Sequence, residues 1–92
     1  MSGSPRHLTL TADTVATVTL DGNFGRIEVL NRDGSAEVYF TTDNSDPVVL
    51  GANSHVLPAA IGAVEVADDT SGSSSIVKMI STGTPAVSVR GM

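Results

Sequence analysis

The sequence predicts an all-β domain, an antiparallel β-sandwich of about seven or eight short strands, immunoglobulin-like or small barrel-like in form. Three observations carry that prediction. Short runs rich in Val, Ile and Thr recur along the chain, separated by Gly, Asp, Asn, Ser and Pro. Within the runs apolar and polar residues alternate, the period that places one face of a strand on a core and the other in water. Nowhere does an apolar residue return at the three-to-four spacing of an amphipathic helix over a useful length.

The runs can be taken in order. Met1 to Arg6 is small, polar and interrupted by Pro5, so residues 1–6 are expected to form a flexible N-terminal arm ahead of a single β-sandwich domain, 7–92. "HLTLTA" from His7 alternates Leu8 and Leu10 with Thr9 and Thr11, and "TVATVTL" alternates Val18 and Leu20 with Thr17 and Thr19. "RIEVLN" and "AEVYFTT" flank Asp33-Gly34, a pair suited to a two-residue hairpin turn. In that register Val29 faces Val38, Ile27 faces Phe40 and Glu28 faces Tyr39, with Glu28 and Glu37 as diagonal neighbours on the outer face. A shift of one residue would set Glu37 against Val29 and bury a charge, so the hydrophobic pattern and the turn agree. "HVLPA", "GAVEVA", "IVKMIST" and "AVSVRG" supply the remaining strands. Pro47, Pro58 and Pro85 fall at run edges, where a missing ladder donor does least harm. "DDTSGSSS", Asp68 to Ser75, has no apolar residue and is expected to be an exposed turn.

Composition narrows the function. The 92 residues suffice for one modest core, built with two Phe, one Tyr and no Trp. A thin core with no cysteine to staple it favours association with copies of itself or with a larger partner. Five basic residues against ten acidic ones give a net charge of −5, which opposes binding to a phosphate backbone. No apolar run reaches the roughly 18 residues of a membrane span, and the N-terminus lacks the order of a signal peptide. A soluble protein made in the cytoplasm is expected, with neither nucleic acid nor membrane as partner.

Candidate chemistry is sparse. Glu28 and Glu37 could serve acid–base chemistry only if burial raised one pKa, and the outer face of a hairpin offers no such burial. "DNSDP" spaces oxygen ligands at Asp43, Ser45 and Asp46 like the opening of a calcium loop, yet lacks its turn glycine and distal bidentate Glu. An Asx-rich turn accounts for it without metal. His7 and His55 have no second ligand at metal spacing, and Ser54 beside His55 is not a nucleophile elbow. "STGTP" precedes no helix, and with Tyr39 as the one aromatic expected on the surface, a sugar-binding platform lacks its rings. No catalytic residue, cofactor or metal is therefore assigned.

Two resemblances add to this. "EVYFTTDNSDP", Glu37 to Pro47, resembles the Tyr-x-Thr-x-Asp-Gly-x-x-Pro signature of the immunoglobulin-like domains at the C-termini of chitobiase-type enzymes, with Asn44 where Gly is usual. "LTLTADTVATVTL", "RIEVLNRDGSAEVYFTTD", "ANSHVLPAAIGAVEVAD" and "VKMISTGTPAVSVRG" together resemble small virion structural proteins of actinobacterial tailed phages, the head decoration or minor capsid proteins. That second resemblance implies a non-enzymatic protein on the capsid exterior, a homotrimer that bridges major capsid subunits. Its arm, with Ser4, Pro5, Arg6 and His7 as the interaction residues, would order on binding. The alternative use of the same fold is a tail- or fibre-associated adhesin that presents "DDTSGSSS" and "DNSDPVVLGANS" to a host surface.

Overall fold

A computed structural model describes residues 6–20, 22, 24–67 and 74–91. Each of the eight runs forms a strand: β1 (Arg6–Thr9), β2 (Ala16–Thr19), β3 (Arg26–Asn31), β4 (Val38–Thr41), β5 (His55–Leu57), β6 (Gly62–Ala67), β7 (Ile76–Ile80) and β8 (Ala86–Gly91). They build two four-stranded antiparallel sheets, a first in the order β1-β8-β3-β6 and a second in the order β2-β7-β4-β5. No described residue is helical, so no helix is present to cross a membrane.

Six of the seven connections leave one sheet for the other, and only β4–β5 joins neighbours in the same sheet. This is the strand order of a jelly roll, in which two interleaved Greek keys wrap a sandwich. An immunoglobulin domain groups its strands differently, with four of seven on one sheet and three on the other.

Period-two alternation sets the core. Ile27 and Val29 of β3, Val38 and Phe40 of β4, Leu57 of β5, Val77 and Met79 of β7, and Val87 and Val89 of β8 point between the sheets and are buried. Leu10, Val18 and Leu20 close the cluster. The four pairing residues of the expected hairpin do meet in this core, but from opposite sheets. Val29 is opposite Val64 and Val89 in its own sheet, and Phe40 is opposite His55 and Met79 in the other.

The hairpin is thus corrected to an arch, and Asn31 ties it. At the end of β3 this side chain is fully buried, where an unbonded amide would be costly. Its Nδ2 donates to the carbonyls of Ala36 and Pro58, both at 3.0 Å, while its Oδ1 accepts from Gly34 N at 3.0 Å. Asp33 extends the strap: its carboxylate accepts from Ser35 N and from Ala86 N, and Arg32 N donates to the Ala86 carbonyl. Gly34 has φ of 66°, and a Cβ there would lie 2.9 Å from the Ala60 carbonyl carbon. The turn is therefore glycine-dependent and packed on the β5–β6 loop, turned away from a tight hairpin.

Three smaller expectations also change. Arg6, expected as the last arm residue, is the first residue of β1, paired with Val89. Tyr39, expected on the surface, is 4% exposed. Of the "DDTSGSSS" stretch, residues 68–73 lie outside the described residues. Ser75 is fully buried, with its N–H donating to the Gly22 carbonyl and its Oγ accepting from Phe24 N. A small hydroxyl in a serine run gives no hydrophobic signal, so its burial could not be read from pattern.

Candidate functional site

The outward residues of the first sheet form the most charged surface built on strands. Because Ile27, Val29 and Asn31 point inward, Arg26, Glu28 and Leu30 point outward, followed directly by Arg32. In β8 the same alternation turns Ser88 and Arg90 outward, in β1 His7, and in β6 Glu65. Register then sets two rows across the sheet, His7–Ser88–Leu30 and Arg90–Glu28–Glu65.

Within the second row Arg90 grips Glu28 in a fork, Nε to Oε1 at 2.8 Å and Nη2 to Oε2 at 3.4 Å. Arg26 binds the other carboxylate, Glu65. In the first row the His7 Nδ1 lies 2.6 Å from Ser88 Oγ. Arg32 has no carboxylate or side-chain hydrogen-bond partner among the described residues. Between the rows lies an open groove of about 290 Å³, lined by His7, Glu28, Leu30, Arg32, Ser88, Val89 and Arg90.

An imidazole on a hydroxyl is the first half of a nucleophile-activating arrangement, which needs a third group to orient the imidazole. The carboxylate in this groove is Glu28, and it is held by Arg90. The His7–Ser88 contact is accordingly a cross-strand tie that fixes both side chains. With one apolar floor residue, a fixed hydroxyl and an open guanidinium, the groove is equipped to bind a charged group.

The other sequence candidates are dispersed. Glu28 lies on β3 of the first sheet and Glu37 directly precedes β4 of the second, so they are not diagonal neighbours. Glu37 accepts a hydrogen bond from Tyr39 Oη at 2.8 Å, which raises the phenol above its ordinary 10.0. Asp43 accepts from both the hydroxyl and the N–H of Ser45, bonds that hold its carboxyl below 3.8. Asp46 pairs instead with Lys78 at 3.2 Å, so the two aspartates of "DNSDP" face separate partners. No cluster of three metal-ligating side chains occurs among the described residues. His55 stacks on Phe40 with ring centroids 5.2 Å apart, and Ser54 Oγ accepts from Val48 N. Of the four interaction residues named from the sequence, Ser4 and Pro5 lie outside the described residues, Arg6 starts β1, and His7 lines the groove.

Sequence reasoning missed Arg32, Ser88 and Arg90 as members of one site. Alternation within "AVSVRG" gave the facing of Ser88 and Arg90. The pairing of β3 with β8, some 60 residues apart, is what joins them.

A second, apolar groove of about 210 Å³ runs beside the β5–β6 connection, lined by Leu57, Pro58, Ala60, Ile61, Gly62, Ala63 and Val64. Near it Ile61 is 74% exposed, and on the β4–β5 loop Leu50 is 82% exposed with a φ of 58°. Compared with known proteins, the chain matches no family model, no curated protein and no solved structure.

Proposed function

We propose that this chain is a non-enzymatic virion structural protein of a tailed phage, a decoration protein that binds the outside of the head as a homotrimer and bridges major capsid subunits. The observation that carries the reading is the outer face of the first sheet. It is a broad, strand-built surface of fixed charge pairs around an open groove, suited to contact with another protein. The resemblance of its runs to phage virion proteins supports it, as does the jelly-roll order, an architecture used in viral capsids. That second support is an analogy of fold, and a fold hosts many functions. Bridging several subunits at once would give avidity from contacts that are individually weak.

The adhesin alternative draws on a different feature, the loop tip at Val48 and Leu50, where an exposed apolar side chain is held in a left-handed backbone conformation. Copy number separates the two: hundreds of copies on the head mark a decoration protein, a few at the tail an adhesin. Imaging of intact particles, with mass measurement of the free protein, tests the reading directly. Failure of the purified protein to bind expanded capsids would remove it. Because Arg6 and His7 belong to β1, the arm is tested by deleting residues 1–5 alone, which leaves the sheet intact.

A further inference from the structure

Four of the five basic residues of this acidic chain belong to the first sheet: Arg6, Arg26 and Arg90 lie in its strands and Arg32 follows β3. Its outer face carries three arginines, Arg26, Arg32 and Arg90, against two glutamates, Glu28 and Glu65. One positive charge is left over, on a chain whose net charge is −5. The surplus is located, because Arg26 and Arg90 are each consumed by a carboxylate and Arg32 is not.

We infer that the groove between β1, β8 and β3 is a docking point for a carboxylate side chain on an acidic segment of a partner protein, with Arg32 as its anchor. A planar guanidinium binds carboxylate through two parallel hydrogen bonds, and Arg32 lines the groove with that capacity unused. With His7 Nδ1–H donating to it, the Ser88 hydroxyl would keep its own proton for the incoming carboxylate, and Leu30 gives the methylenes of an acidic side chain an apolar floor. Glu28 would repel the incoming group, but the Arg90 fork neutralises it within the same groove. The negative charge elsewhere on the chain is screened beyond about 8 Å at physiological ionic strength, so local charge decides. A volume of about 290 Å³ accepts one such side chain and its immediate neighbours.

This inference deepens the shell-binding reading by naming the chemistry of the contact, and its test separates the two. The isotope-labelled protein is titrated with acetyl-Gly-Glu-Gly-amide and with its Gln counterpart, and amide resonances are followed by NMR. The Glu peptide should shift Leu30, Arg32 and Ser88, and the Gln peptide should not. Arg32→Ala should weaken the response about tenfold, the loss of one charge-assisted contact, and Arg26→Ala should leave it unchanged. Equal responses from wild type and Arg32→Ala, or larger shifts from inorganic phosphate than from the Glu peptide, would overturn the assignment. In a second arm, Arg32→Glu should lose binding to expanded capsids, and retention of full binding would also overturn it. If wild type ignores capsids while the Glu peptide still docks at Arg32, the shell reading fails and the carboxylate site stands.

Discussion

The two sheets share a core yet finish their outer faces in opposite ways. On the second sheet, Tyr39 and Thr41 point outward from β4 and are nonetheless buried. The β4–β5 loop folds back on Thr41: its Oγ1 donates to the Ser45 carbonyl, and Lys78 beside it reaches Asp46. On the first sheet the outward glutamates are instead paired across strands at the surface. On the second sheet the burial is confined to the β4 patch, since Thr17 and Thr19 of β2 and Val56 of β5 stay exposed. The first sheet holds strong hydrogen-bonding groups in place at its surface, which is how a contact surface differs from a packing patch.

The largest effect should come from the residue that ties the arch between the first sheet and the second. Asn31→Ala leaves the carbonyls of Ala36 and Pro58 and the N–H of Gly34 without their partner, and should cost about 3 kcal/mol in urea unfolding. A loss below about 1 kcal/mol would mean that the arch closes without it. Next, truncation should report the asymmetry of the faces: Tyr39→Ala should lower the unfolding midpoint several times more than Leu30→Ala, its counterpart on the first sheet. Equal losses would erase the distinction between covered and open.

Two further effects are smaller. Thr41→Val keeps the shape and removes one bond to the covering loop, so it should cost about 1 kcal/mol and speed hydrogen exchange in residues 43–46. On the open face, a double-mutant cycle on Glu28 and Arg90 should give a coupling below about 1 kcal/mol that shrinks with added salt, since both side chains are partly exposed.

The smallest expected effect is in acid. Hydrogen bonds from Ser35 N and then Ala86 N hold Asp33 below its ordinary pKa, and the Ser45 hydroxyl and N–H do the same for Asp43. A carboxyl with a lowered folded pKa stabilises above the unfolded value and loses that contribution as pH falls through the folded one. Stability should therefore decline from about pH 4 downward. Asp33→Asn should flatten that decline at the arch, and Asp43→Asn at the cover, read as the thermal midpoint against pH.

The sequence was most legible where physics is local. All eight strands follow from alternation and punctuation, and Pro47, Pro58 and Pro85 fall outside the strands as the missing donor requires. Partnering was not legible, because Val29–Val38 and Ile27–Phe40 satisfy the alternation equally as ladder neighbours or as opponents across a core. The residue that ties the arch, Asn31, reads as an ordinary polar strand end, and its partner Pro58 lies 27 residues away. Tyr39 differs for another reason: its outward facing is right, and strand alternation alone does not report that an outward side chain is buried. The candidate site divides the same way, with His7 legible as a histidine at a strand start and Arg32 meaningful only once β8 lies beside β3.

The position of β8 has a consequence for synthesis. It lies between β1 and β3, so two of the three other strands of the first sheet hydrogen-bond to a strand that is the last of the eight to leave the ribosome. Until residues 86–91 emerge, β1 has no ladder partner and the apolar sides of Ile27 and Val29 have no complete sheet around them. The second sheet and the β3–β6 pair can form before β8, but the first sheet closes only through a late, long-range pairing, a kind of contact that slows folding.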